Sequence, residues 1–415
     1  MKHLKPQRPQ FNTALFLILL PMVLPLSVFE LTEGTQLLSL IRLYQKIAGV
    51  TALAAAGIRF YRTRRMPLTV LLFGVLETWI FFMTLFKNGV SYAYDFMLNN
   101  AIQVAAFALI TYVFEDRIDT LLLTGLVSYE WLIFVNLATQ LIWGTVGLYA
   151  GEAYREPSFF LGHKNQFIGY AYPVIFFALV ILDREKKRKG ERRKSMTMAD
   201  PKERKTARIV KNNAIVSLCA ACLTVFLSDS STGKLALLIS AALYGLNLLL
   251  RDPKWLGAPV VFSLAAVADL LLSIFRISRN WKPLSVFLES VLHRSTDLTG
   301  RIGIWDSYYE VMRGFWMFGR GYAPATRIFS QGMYFPNAQN QYFEFLYQGG
   351  MIGLEIFLAI WVLMTIRLAR SRGSEASRAM TAILTGLMFV FILEPAFYQV
   401  YILYMLALDI ELLNE

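Results

Sequence analysis

The first residues of this sequence that could do chemistry are basic side chains interleaved with aromatic rings. The stretch 276–348 holds eight Lys and Arg residues, Arg301 and Arg320 among them, and sixteen aromatics, including Trp305, Tyr308 and Tyr322. Guanidinium groups bind phosphate oxygens bidentately, and ring faces offer flat apolar platforms for sugars. Such a surface suits a lipid-linked, phosphate-bearing glycan, and equally a lipid-headgroup layer bordered by an aromatic belt. Further cations stand at Arg155, Lys164 and Lys234, and proton acceptors at His163, Asp229, Asp306 and Glu344. There is no HExxH, P-loop, nucleophile elbow or Gly-rich dinucleotide fingerprint. With only three histidines (His3, His163, His293), no metal site of the His/Cys type and no cofactor are expected. Cys219 and Cys222 lie in an apolar run with no second cysteine pair, and read as small lipid-phase residues.

These residues must be positioned by membrane helices. The chain has 415 residues, 56% hydrophobic and only 17% charged, too apolar for a soluble domain. A bilayer core takes about 20 apolar residues to cross. Apolar runs predict twelve spans: 11–32, 36–58, 67–87, 97–115, 119–146, 165–182, 213–229, 234–250, 257–275, 349–369, 379–395 and 397–412. The last two are joined tightly by Glu394 and Pro395. The fold class expected is an all-α polytopic membrane protein with a large extracytoplasmic loop between spans 9 and 10. The chain then divides into helices 1–9 over residues 1–275, the loop over 276–348, and helices 10–12 over 349–415.

Orientation follows from the basic residues. Thirteen of the 41 Lys and Arg lie between Asp183 and Lys211, which makes 183–211 a cytoplasmic loop and places both termini in the cytoplasm. The net charge of +12 therefore reports topology and anionic lipid, not nucleic acid. The eight cations of the outer loop run against that rule, and a loop so long inside a compact protein is usually functional. Apolar spacing over 301–318 predicts a helix along the membrane surface. Glu77, Glu130, Asp269 and Glu355 fall inside spans, where they could pair with Arg42 or Lys46 or line a wet cleft.

Four short motifs add residue order. Phe160-Leu161-Gly162-His163-Lys164-Asn165 precedes span 6, and Ser228-Asp229-Ser230-Ser231-Thr232-Gly233-Lys234 joins spans 7 and 8. Arg301-x-x-x-Trp305 precedes Phe318-Gly319-Arg320-Gly321-Tyr322. Gln339-Asn340 is followed, after nine intervening residues, by Gly350-Met351-Ile352-Gly353. In this order the chain resembles the O-antigen ligase and polysaccharide polymerase superfamily of bacterial integral-membrane glycosyltransferases, from about span 5 to span 10. The resemblance implies a GT-C-like fold in the bacterial cytoplasmic membrane and an active site on its extracytoplasmic face. It also implies an inverting, metal-independent transfer of glycan from undecaprenyl pyrophosphate to an acceptor hydroxyl.

By that resemblance Arg301 binds the carrier pyrophosphate; otherwise it forms an ion pair with Asp297 or Asp306. Ligases of the family place His where this chain has Gln339, which cannot take a proton at neutral pH. Many also carry Arg at the position of Thr232, and Lys234 either supplies that cation or merely flanks its helix. The expected catalytic set is Arg301, Gln339, Asn340, His163 and Asp229. The expected substrate-binding set is Arg155, Lys164, Asn165, Ser231, Thr232, Lys234, Trp305, Arg320 and Tyr322. The function expected is polymerase of a capsule, exopolysaccharide or O-antigen, joining lipid-linked repeat units. A ligase acting on a lipid, protein or cell-wall acceptor is the neighbouring alternative, and a lipid-linked oligosaccharide transporter the one from another class. Partners would be the lipid-linked donor and glycan acceptor, membrane lipids, and a chain-length regulator and flippase of the same pathway.

Overall fold

A computed structural model describes the chain except for residues 1–9, 151–156, 195–200, 291–294, 297, 299, 324–327, 331–332, 336 and 415. The first half comprises α1 (Thr13–Val23), α2 (Leu26–Leu31), α3 (Gln36–Thr63), α4 (Leu68–Asn88), α5 (Val90–Phe96), α6 (Ile102–Val113) and α7 (Ile118–Trp143). A small sheet of β1 (Tyr149–Ala150), β2 (Pro157–Phe159) and β3 (Gly162–His163) follows, antiparallel in that order. Then come α8 (Phe167–Lys194), α9 (Pro201–Leu227), α10 (Ser231–Leu249), α11 (Ala258–Asp269), α12 (Ile277–Asn280), α13 (Lys282–Ser290) and α14 (Arg301–Met312). The hairpin β4 (Ile328–Ser330) and β5 (Met333–Phe335) leads to α15 (Gln341–Arg370), α16 (Glu375–Leu393), α17 (Phe397–Leu408) and α18 (Ile410–Asn414).

Among the described residues nine helical stretches are long and apolar enough to cross a membrane. Three shorter apolar helices, Thr13–Val23, Ala258–Ile274 and Phe397–Leu408, lie where the sequence places spans 1, 9 and 12. The core gathers around α8, α16 and α17, through side chains such as Phe176, Leu387 and Tyr404. α3 is peripheral: it turns Leu40, Ile47 and Val50 outward and packs on α6. Its buried Gln45, Ala48, Ala52 and Ala56 recur every three or four residues. Small residues at that spacing let two membrane helices approach closely.

Two expectations change. The 183–211 segment is helical where described, because α8 continues to Lys194 and α9 starts at Pro201. Pairs such as Lys187–Asp183 at 2.7 Å, one turn apart, support the polar extension. Asp119 draws in Arg184 and Arg188, and Arg184 Nη2 also donates to Leu413 O at 2.8 Å. Secondly, the helix expected over 301–318 stops at Met312, and its apolar stripe packs on the protein while Asp306 and Glu310 stay exposed. Ile302, Ile304, Trp305, Tyr308 and Met312 are buried against Ala338, Phe343, Leu346 and Tyr347. Gly314, at φ 81°, turns the chain away.

The intramembrane acids do not pair with Arg42 or Lys46 in any described contact. Glu130 accepts from Asn213 at 2.8 Å and Ser217 at 2.6 Å, and Asp269 accepts from Asn340. Lys46 donates to Tyr94 OH at 2.8 Å. Cys219 and Cys222 are free thiols.

Candidate active site

At one end of the bundle the chain breaks between α16 and α17. Pro395 disfavours the helical conformation for the residue before it, and Glu394 is extended at φ −150°, ψ 137°. Freed carbonyls and an amide at this break must find partners. They find the side chains of Arg301, Asn340 and Gln341, and the Glu394 side chain reaches a third motif through Asn165.

Arg301 opens α14 after Gly300, which sits at φ 84°. Its guanidinium makes three bonds: Nε to Leu393 O at 3.0 Å, Nη1 to Leu298 O at 3.2 Å, and Nη2 to Glu394 Oε1 at 2.7 Å. The side chains of Arg301 and Glu394 are only 13% and 17% exposed, so water screens this pair little. Arg301 is therefore in an ion pair, but its partner is Glu394 rather than Asp306. Asp306 pairs with Arg276, and Asp297 lies outside the described residues.

Glu394 Oε1 also accepts from Asn165 Nδ2 at 2.7 Å. Asn165 Oδ1 in turn accepts from Ser230 Oγ at 2.8 Å, and Ser230 Oγ caps α10 by accepting from Gly233 N at 3.0 Å. A polar chain thus runs from Arg301 through Glu394 and Asn165 to Ser230. The turn carrying Asn165 is anchored to α7, where Asn136 Oδ1 accepts from Leu161 N at 2.8 Å. His163 lies in β3 next to this chain, and its Nδ1 accepts from Asn165 N at 3.5 Å. Lys164 stands beside it in a short 3₁₀ turn.

Asn340 grips the same break from the other side. It is fully buried. Its Oδ1 caps α15, accepting from Tyr342 N at 2.9 Å and Phe343 N at 3.1 Å. Its Nδ2 donates to Asp269 Oδ1 at 3.1 Å and Ile392 O at 3.3 Å. The next residue, Gln341, accepts from Phe397 N at 2.7 Å and so caps α17. Gln339 is buried, at φ 47°. Trp305 is fully buried; its indole donates to Ala338 O at 3.1 Å and its ring meets Phe343 edge-on. Tyr308 stacks on Phe343 at 4.9 Å, and burial pushes its hydroxyl pKa well above the usual tyrosine range.

Of the remaining candidates, Asp229 and Ser231 are exposed, and Thr232 and Lys234 half-buried, at the start of α10. Arg155 falls outside the described residues. Arg320 and Tyr322 serve a different junction. Arg320 Nη1 donates to Val311 O at 2.8 Å, and its guanidinium lies 4.4 Å from the Phe315 ring centroid. Tyr322 packs on Phe96, and Asn88 Nδ2 donates to the carbonyls of Arg320 and Tyr322 at 2.9 Å each. Here Gly319 and Gly350 cross: Arg320 N donates to Tyr347 O at 2.6 Å and Met351 N to Trp316 O at 2.8 Å. Gly350 is at φ 65°, and a Cβ there would stand 2.2 Å from Met317 O. The Gly-rich pair is thus a backbone crossing that only glycine fits. Trp79 Nε1 steadies it by donating to Gly349 O at 2.7 Å.

Glu394, Ser230, Asp269 and Gln341 are members of the network that the expected site set did not name. Glu394 had one signal, a carboxylate before proline between two spans. Ser230 had another, its place in a cap-like run. Among the described residues no three His, Cys, Asp or Glu side chains converge. Chemically the site offers a guanidinium held by one displaceable carboxylate, ringed by amides and a helix N-terminus. That combination can take up an anion and release a proton acceptor in one exchange.

The O-antigen ligase family model matches residues 215–358. That range holds Ser230, Lys234, Arg301 and Asn340, and leaves Asn165 and Glu394 outside it. No curated protein matches the chain.

Proposed function

We propose, from the premise that residues 215–358 carry an O-antigen ligase domain, that this integral membrane protein polymerises a bacterial surface polysaccharide. The donor is a repeat unit on undecaprenyl pyrophosphate, and the acceptor is a hydroxyl of another lipid-linked unit. In this reading the protein sits in the cytoplasmic membrane with both termini inside. Its large loop, 276–348, joins the helices of residues 1–275 to those of 349–415, and both that loop and the break at Glu394 face outward.

The observation carrying this reading is the Arg301–Glu394 pair within reach of Asn165. The donor pyrophosphate replaces Glu394 on Arg301, since a guanidinium fork prefers a bidentate oxyanion. Lys234, and Lys164 beside Asn165, add positive charge to the same side. Together they neutralise the charge that grows on the bridging oxygen as the sugar–phosphate bond breaks. The acceptor hydroxyl attacks the anomeric carbon from the opposite face, so configuration inverts. Its proton passes to the released Glu394 carboxylate, a role Gln339 cannot fill. Undecaprenyl pyrophosphate leaves.

The test is product analysis with purified protein and a single polyprenyl-pyrophosphate repeat unit. A ladder of longer lipid-linked chains supports the polymerase. One-step transfer to a different acceptor would make it a ligase. Movement of the lipid-linked unit across the bilayer without a new glycosidic bond would make it a transporter.

A further inference from the structure

An apolar groove runs along the outer surface of α4, where α15 flanks it. Its volume is about 490 Å³, and it is lined by Val70, Leu71, Val75, Trp79, Phe82 and Ile356 among others. Gly74 forms a notch in its floor, with no atom within 4 Å of where a Cβ would stand. Toward the Glu394 end of the bundle the groove passes under the loop that follows α14. There Phe318 lies 6.3 Å from Trp79, ring to ring, while Trp316, Met317 and Phe318 are exposed. Above that apolar roof, two cations flank one ring. Lys87 lies 5.4 Å and Arg320 4.4 Å from the Phe315 centroid. Among the described residues neither has a carboxylate partner, and Lys87 is exposed.

An apolar slot under a cationic cap has the polarity of a lipid with an anionic head. We propose that this groove seats the polyisoprenoid chain of a second lipid-linked substrate molecule, with Lys87 and Arg320 contacting its phosphate. The inference deepens the polymerase reading, which requires two lipid-linked molecules, one serving Arg301 and one supplying the hydroxyl. The branched methyls of a polyisoprenoid fit a slot notched at Gly74 and walled by rings, whereas a straight acyl chain needs no such relief. The groove and the Arg301 network belong to separate junctions, the Gly319–Gly350 crossing and the α16–α17 break, so the two chains do not compete for one place.

The experiment is photolabelling of the full-length protein in phosphatidylethanolamine–phosphatidylglycerol vesicles with a diazirine-bearing undecaprenyl phosphate, mapped by mass spectrometry. Label is expected on peptides covering 66–82 and Ile356, chased by unlabelled undecaprenyl phosphate and not by the same amount of phosphatidylglycerol. Label spread evenly over outward helices such as α3, or chased equally by phosphatidylglycerol, would mean bulk lipid only and would overturn the proposal. Gly74→Phe puts a ring into the notch, starting from a Cβ that meets no atom within 4 Å. It should abolish the specific label and cut ladder formation at least tenfold at equal membrane level, while Leu53→Phe on α3 changes neither. Labelling is read without turnover. Specific label with no ladder from the wild type would remove the polymerase reading and leave the lipid site standing; a normal ladder from Gly74→Phe would remove the site alone.

Discussion

Replacing Glu394 separates its contact with Arg301 from the proton-accepting role proposed for it. Two charge-assisted hydrogen bonds of 2.7 Å meet on its Oε1, each worth about 1.5–3 kcal/mol. Glu394→Ala removes both and strands a nearly buried guanidinium, a change that costs about 3–5 kcal/mol. That is enough to lower the amount of folded protein, so loss of activity there would be ambiguous. Glu394→Gln keeps an acceptor oxygen for Arg301 Nη2 and Asn165 Nδ2 while removing the charge. It should stay folded, within about 1–2 kcal/mol of wild type, the difference between a charged and a neutral acceptor. A donor pyrophosphate then meets less competition for Arg301, so the KM for the lipid-linked donor should stay level or fall. Removing the proton acceptor should lower kcat by about 10²–10⁴-fold. The assay is ladder formation in proteoliposomes at varied donor concentration, normalised to protein in the membrane. Wild-type kcat from a folded Glu394→Gln variant would refute the base assignment. A raised KM with unchanged kcat would refute the exchange on Arg301 as well.

Other expectations rest on single contacts. Arg301→Lys keeps the charge and loses the fork to Glu394 and two carbonyls, so donor KM should rise at least tenfold while the protein stays in the membrane. Asn340→Ala removes the cap of α15, about 1 kcal/mol, and also leaves Asp269 Oδ1 without its amide; thermal unfolding in detergent should show a loss larger than the cap alone. Gly350→Ala meets Met317 O at 2.2 Å and should yield little monodisperse protein on size exclusion, whereas Gly57→Ala, with open space around it, should be neutral. Arg378 holds Asp252 through two bonds of 2.9 and 2.7 Å at the opposite end of the bundle. Arg378→Ala should lower the unfolding temperature in detergent while leaving donor KM unchanged in the protein that remains folded.

The sequence by itself determined the membrane class, the approximate helices and the motif order, because hydropathy and capping are local. A run of about twenty apolar residues is long enough to span a bilayer, and serine is among the residues preferred at a helix N-cap, the place Ser230 takes before Gly233. Through the motifs that carry the family resemblance it also singled out Arg301, Asn165 and Asn340. Their assembly was decided only by tertiary structure. Arg301 meets Glu394 across 93 residues, and Asn165 meets it across 229; nothing in the spacing of either pair encodes that contact. Periodicity likewise predicted a helix at 301–318 but could not tell membrane surface from protein core, since both favour an apolar stripe. The fold packed that stripe against Phe343 and Ala338, and Gly314 at φ 81° turned the chain away just past Met312. The Gly319–Gly350 crossing teaches the same lesson. Residue type announced two permissive backbones, but only the fold brought one against the other and made each indispensable.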